Sequence, residues 1–212
     1  VKFKPLSDLY ARISIAAPGL NQLTALDELR NTAVDFCRET LVSQETMETE
    51  IAPGDRELIV ESPSSAQVYV SRVMWVSTNR GPIAVVTLAE LNYDRNWRQK
   101  TGTPKKCANE TDGELVLNRQ AVKAETGVMV RVACVPQPAA TQLDQLLVTE
   151  YAREIVAGTL ARVLAYPNVS WANPGAAQAN GVTYEIGLSR ARAAAYTNRS
   201  VAPVPVRIFR QA

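Results

Sequence analysis

Gly127-Val128-Met129-Val130-Arg131-Val132-Ala133-Cys134-Val135-Pro136-Gln137-Pro138 is the stretch on which the reading of the fold turns. Val128, Val130 and Val132 alternate with Met129 and Arg131, the period of two that sends successive side chains to opposite faces of a strand, and Gly127 and the two prolines bound the run. Beyond it the period changes. Leu143, Leu146, Leu147, Tyr151, Ile155, Thr159, Leu160, Val163 and Leu164 recur at three- and four-residue steps, which predicts one long helix of about 25 residues before Pro167. Asn173-Pro174-Gly175 and the alanine-rich segment after it predict a last helix to about Tyr196. Pro203 and Pro205 keep residues 197–212 from being helical throughout.

Upstream of Gly127 the same two periods occur in the opposite order. Pro5 and Ser7 open a short helix over residues 7–16, closed by Pro18-Gly19. Asn21 or Thr24 can cap a second, in which Leu23, Leu26, Leu29, Ala33, Phe36 and Cys37 form one apolar stripe ending near Thr40. From Met47 the period falls to two, and Pro53-Gly54-Asp55 leads into Leu58-Ile59-Val60, a pattern that predicts a hairpin. Val68 to Val76 and Ile83 to Leu88 flank the turn Asn79-Arg80-Gly81-Pro82, and Glu114 to Leu117 follows Asp112-Gly113. Residues 89–113 are polar and read as a long loop with one helical turn. The expected fold is α+β: an antiparallel bundle of about four helices from residues 1–42 and 139–196, interrupted at 43–138 by a β-sheet or β-sandwich insertion of about six strands. Residues 197–212 are expected to form an extended C-terminal arm.

A chain of 212 residues, 46% hydrophobic and 21% charged, can bury the core of one domain. It contains no histidine, which removes Ser-His-Asp and Cys-His nucleophiles, His-containing zinc sites and imidazole acid/base chemistry from this chain alone. Cys37, Cys107 and Cys134 form no CxxC pair and are odd in number, so neither a disulfide framework nor a cysteine-only metal site is expected, and a reducing compartment suits them. No apolar run approaches the roughly 18 residues of a membrane span, and no leader pattern opens the chain, so a soluble protein without a membrane partner is expected. Phosphate-loop, dinucleotide-fold, HExxH, GxSxG and calcium-loop motifs are all missing. A pair of carboxylates could hydrolyse glycosides without histidine, but the acids lie on one amphipathic helix and the strand after it, where a solvated face is the simpler account. The expectation is a protein that is not an enzyme, with no cofactor and no metal.

The net charge of +2 conceals segregation. Residues 21–50 hold seven acids, Asp27, Glu28, Asp35, Glu39, Glu45, Glu48 and Glu50, against Arg30 and Arg38. From residue 151 onward there are seven arginines and only Glu154 and Glu185 as acids. One reading sets Asp27, Glu28, Asp35 and Glu39 of one copy against Arg153, Arg162, Arg190 and Arg192 of the next; another gives the arginine-rich end to an anionic polymer. Tyr93-Asp94-Arg95-Asn96-Trp97-Arg98 is either a loop pinned to the sheet by two rings or a platform for stacking bases. In the C-terminal arm Val204, Val206, Arg207, Ile208, Phe209 and Arg210 are apolar enough to bury and basic enough to be held by acids, the composition of a segment that docks on a neighbour.

Leu26-Asp27-Glu28-Leu29-Arg30-Asn31-Thr32-Ala33-Val34-Asp35-Phe36-Cys37-Arg38-Glu39-Thr40 resembles the "LR.AA.EFC..T" helix of phage head-to-tail adaptor proteins, the group that includes the tail tubular protein A of short-tailed phages. Thr101-Gly102-Thr103-Pro104 resembles that group's "GxP" loop, and Pro136-Gln137-Pro138 the prolines closing its last strands. Tyr151 to Leu164 is similar to its "Y...I..GA..RL" helix, with Thr159 where the family more often has Ala. The motifs keep their order over residues 20–196. The resemblance implies a non-enzymatic virion subunit of the tail or neck, assembled in the host cytoplasm into a ring, typically of twelve copies. It implies as partners the portal protein above, a nozzle or tail-tube protein below, further copies of itself, and genomic DNA passing without sequence readout. The arm Val204 to Arg210 is then expected to dock on the portal, and the loop with Tyr93, Trp97, Gly102 and Pro104 to face the tail. The competing expectation is a sequence-neutral nucleic-acid-binding protein that uses its C-terminal arginines.

Overall fold

The structure, a computed structural model, describes residues 2–62 and 66–200, without the side chains of 198–200. The chain begins with β1 (Phe3–Pro5), α1 (Ser7–Ala16) and α2 (Gln22–Thr40), followed by β2 (Gln44–Ile51), β3 (Glu57–Ile59), β4 (Val68–Thr78) and β5 (Gly81–Val86). Then come α3 (Leu88–Asn92), one 3-10 turn at Trp97–Gln99, β6 (Lys106–Thr111), β7 (Glu114–Leu117) and β8 (Glu125–Pro136). It ends with β9 (Gln142–Asp144), α4 (Gln145–Glu150), α5 (Ala152–Val163) and α6 (Pro174–Ser200).

Seven strands form one mixed sheet in the order β2-β8-β4-β5-β6-β7-β3, and β1 pairs with β9 in a separate ladder. Every pair in the large sheet is antiparallel except β5 with β6. The two edge strands, β2 and β3, are consecutive in the chain and joined only by residues 52–56. The six steps from Ile51 to Glu57 reach no more than about 22 Å, so the sheet curls until its edges nearly meet, as in a barrel with one open seam. Register shifts in β2 and β4 supply part of the bend. The inward residues, among them Ile51, Leu58, Val73, Ile83, Leu115, Val130 and Val132, make one buried cluster.

This corrects the expected architecture. The class is α+β, but the chain is organised around the nearly closed seven-stranded sheet, with six helices among the described residues, and is not a four-helix bundle carrying an insertion. The physical reason lies in β8. Its twelve residues pair with β2 on one side and β4 on the other, and its end, Val135, enters the cluster formed by Leu9, Leu29, Phe36, Leu147 and Ile155 of the helices. The helices therefore pack on one another and on a strand of the sheet, and α2 lies against β8.

Three local expectations also change. Residues 47–51 and 58–60 do not form a hairpin: β2 pairs with β8 and β3 with β7. The turn chemistry is present, with Gly54 at φ 95° and the Ala52 N–H donating to Asp55 Oδ2 at 2.7 Å, but it crosses the seam instead of folding one strand onto the next. The single long helix over 143–164 is divided. Leu143 belongs to β9, the Asp144 side chain accepts from Leu146 N to start α4, and Tyr151 at φ −116°, ψ 15° separates α4 from α5. The 27-residue α6 is longer than either. The stretch 89–113 is less loop than expected, since it includes most of α3, the 3-10 turn and all of β6.

Candidate interaction surfaces

The acidic stripe of α2 and the arginines of α5 and α6 meet inside one chain. Arg162 reaches Asp35 and lies 4.0 Å from Glu28, whose other oxygen accepts the Tyr166 hydroxyl at 2.6 Å. Arg192 reaches the Glu39 carboxylate and also donates to its backbone carbonyl at 3.3 Å. Arg190 binds Glu154 at 2.8 Å, an acid of its neighbouring helix, and Asp27 is held by Arg30 at 2.8 Å. Arg153 is exposed and has no ionic partner among the described residues. Complementarity that could serve between copies is thus largely taken up within the subunit; the pairs exposed on both sides are each worth about 0–1 kcal/mol, while Glu154 is buried beneath Arg190.

The α5–α6 contact is close because glycine permits it. Gly158 faces the Tyr184 ring and Thr32, and Gly187 faces Glu154. The Tyr184 hydroxyl is buried without a hydrogen-bond partner, and burial pushes its pKa up. On the opposite side of α6, Val182, Ile186 and Tyr196 are exposed, and Ile15 and Leu23 are exposed on α1 and α2.

In the segment between α3 and β6 the two rings part. Trp97 is 3% exposed, donates Nε1–H to Asn92 Oδ1 at 3.1 Å and carries the Arg98 guanidinium 5.0 Å from its ring centre. Tyr93 is 88% exposed. One ring therefore anchors the segment and the other projects from it. Gly102, at φ 128°, donates its N–H to the Gln120 carbonyl at 2.9 Å, and Pro104 is buried. Lys105 and Lys106 both donate backbone N–H to Asn118 Oδ1 at 2.9 Å. Arg56 donates to the carbonyls of Trp97 and Lys100, and Arg80 to Thr103 Oγ1 at 3.1 Å. This rigid segment thereby gathers cations that the motif reading passed over: Arg56, Lys105, Lys106, Arg119 and Lys123. A signal was available, because residues 95–106 contain five cations and no acid.

The arm residues Val204, Val206, Arg207, Ile208, Phe209 and Arg210 lie outside the described residues. All three cysteines are buried thiols; burial pushes Cys107 and Cys134 up to about 12, with Glu45 and Asp144 adding to the rise at Cys134, and raises Cys37 further. Among the described residues no cluster of three or more Cys, Asp and Glu side chains is placed to hold a metal ion, and no helix is long and apolar enough to cross a membrane. No family model and no curated protein matches this chain.

Proposed function

We propose that this chain is a structural subunit of a phage virion, a head-to-tail adaptor that forms a homo-oligomeric ring beneath the portal and joins it to the tail around the DNA channel. The observation that carries the reading is the resemblance of residues 26–40 and 151–164 to the two helices of that family, together with their packing. These segments are most of α2 and the whole of Tyr151 and α5, and they meet where Thr32 lies over Gly158 and the Phe36 ring lies tilted against Tyr151 with centres 5.3 Å apart. Two segments that resemble one family separately, and also form one contact, are harder to attribute to shared helix-core letters than either alone. In this reading the Val204 to Arg210 arm docks on the portal, the loop of Tyr93, Trp97, Gly102 and Pro104 faces the tail, and the exposed Val182, Ile186 and Tyr196 are available to neighbouring copies.

The test is the mass of the purified protein, with and without candidate portal rings, by mass photometry. The expected result is a monomer that joins the portal in many copies, and that loses this ability on truncation after Ser200 or on combined Ile208→Ala and Phe209→Ala substitution. Binding unchanged by both alterations would remove the arm from the proposal, and failure to join any portal would remove the adaptor reading itself. The alternative, nucleic-acid binding by the C-terminal arginines, is weakened by the engagement of Arg190 and Arg192 with Glu154 and Glu39.

A further inference from the structure

The segment between α3 and β6 is cation-rich, with Arg95, Arg98, Lys100, Lys105 and Lys106 and no acid in residues 95–106, and Arg56, Arg80, Arg119 and Lys123 lie on the turns beside it. Glu90 pairs with Lys106 at 3.2 Å, Asp94 with Lys100, and Glu125 with Arg80 at 3.3 Å. After those pairs are made, Arg56, Arg95, Arg98, Lys105, Arg119 and Lys123 remain without an ionic partner among the described residues. They belong to one surface. Arg119 lies beside Gly102 and close enough to Asp94 to help hold its carboxyl below the ordinary range, an effect led by the Lys100 ammonium. Arg80, Thr103, Val122 and Lys123 line one cavity of about 340 Å3 open to solvent. The backbone between Lys100 and Lys106 is fixed by hydrogen bonds to Asn118 and Gln120, so these charges are held in place before any partner arrives.

We infer that this end of the sheet binds the phosphate backbone of a nucleic acid, without sequence readout. Two observations favour a phosphate polymer over an acidic protein. A protein interface of ordinary stability needs an apolar centre with charges at its rim, whereas here Tyr93 and Val122 are the large apolar side chains left exposed among the described residues. A nucleic-acid interface is polar and strongly positive, and repeated cations on a preformed extended segment match a repeating anion. Cations spaced along an extended segment contact phosphates, which carry no sequence information. This inference stands apart from portal docking.

The experiment is fluorescence anisotropy of a labelled DNA duplex titrated with the full chain over a series of salt concentrations. The test variant combines Arg95→Gln, Lys105→Gln and Lys123→Gln, three exposed side chains that make no hydrogen bond or ion pair with the described residues, so the fold is untouched. With each phosphate contact contributing about 0.9 to the slope of log K against log salt, the variant should bind at least about tenfold more weakly and lose about two to three units of slope. A second variant, Arg207→Gln with Arg210→Gln, should bind as the parent does. Unchanged binding by the triple variant, loss confined to the arm variant, or displacement of DNA by poly-glutamate as readily as by unlabelled duplex would each overturn the inference. None of these results depends on whether the chain joins a portal.

Discussion

A methyl group placed on Gly187 would lie 2.7 Å from Cβ of Glu154 and closer still to its Cγ, and one on Gly158 would meet the Tyr184 ring at 2.5 Å and Thr32 Cγ2 at 2.7 Å. On Gly181, in the same α6, the nearest atom outside the helix is Ala161 Cβ at 4.0 Å. The same substitution should therefore change sign along one helix. Gly158→Ala and Gly187→Ala overpack the α5–α6 contact and should each destabilise the fold by about 1–3 kcal/mol, while Gly181→Ala gains helix propensity and should stabilise it by about 0.4–1 kcal/mol. Urea midpoints at constant slope check all three, and a neutral Gly187→Ala would mean that Glu154 can swing aside at no cost. The thiols give a second residue-level expectation. Cys107 and Cys134 are held at about 12 against an ordinary 9.0, so between those values the unfolded chain has released thiol protons that the folded chain keeps. Stability from this source is complete below pH 9 and is lost as pH rises through 12. The urea midpoint should fall from pH 8 to pH 10, and at pH 8 a thiol-specific reagent should label the folded chain far more slowly than the unfolded one.

Among the elements, β4 shows how a local irregularity fixes a long-range contact. Its register against β8 shifts between Val70 and Arg72 and again between Val73 and Trp75. Next to these bulges the Asn109 side chain of β6 bonds both main-chain groups of Val73, accepting its N–H at 2.7 Å and donating to its carbonyl at 3.0 Å. Removing that amide leaves two half-buried backbone groups without a partner, so Asn109→Ala should cost about 1–3 kcal/mol, and Asn109→Asp, which keeps only an acceptor, should recover part of it. Denaturant titration of the pair measures this; equal costs would show that the donor half carries the bond. Nothing in the sequence pointed to this role for Asn109, because bulges arise from pairing partners remote in the chain. What could be read was local. The α2 stripe and its Asn21 cap, whose side chain accepts from Leu23 N at 2.8 Å, depend on neighbours within a few residues. The break between α4 and α5 was hidden because the leucine spacing continues across Tyr151 while the backbone does not. The turn at Pro53-Gly54-Asp55 was visible as a turn, but its residues do not say which strand β2 will pair with, and β8 competes better because it offers Val128, Val130 and Val132 to bury.

For the whole molecule, the segregation of charge was legible and its destination was not: periodicity puts Asp35 and Glu39 on a solvent-facing stripe, and only the fold brings Arg162 and Arg192 to them. The basic end of the sheet is the reverse case, since Arg56, Arg80, Arg119 and Lys123 are scattered in sequence and gathered by strand order. The same strand order makes the two largest of the three buried clusters interdependent. β8 supplies Val128, Val130, Val132 and Cys134 to the sheet cluster and Val135 to the helical one, and Ser43, just before β2, donates at 2.6 Å to the buried Asp144 that starts α4. Neither cluster can lose β8 and keep its neighbours, so unfolding should be a single cooperative transition despite the division of the chain into helices and strands. The tryptophans allow the test, because Trp75 and Trp97 lie in the strand region and Trp171 packs on the helical cluster. In urea, fluorescence of a variant that keeps only Trp171, fluorescence of one that keeps only Trp97, and far-ultraviolet circular dichroism should give one midpoint. Val135→Ala, made in the parent, should lower the midpoint seen by every probe by the same amount. Separate midpoints, or a Val135→Ala effect confined to the helical signal, would show that the helices and the sheet fold as independent units and that β8 merely passes between them.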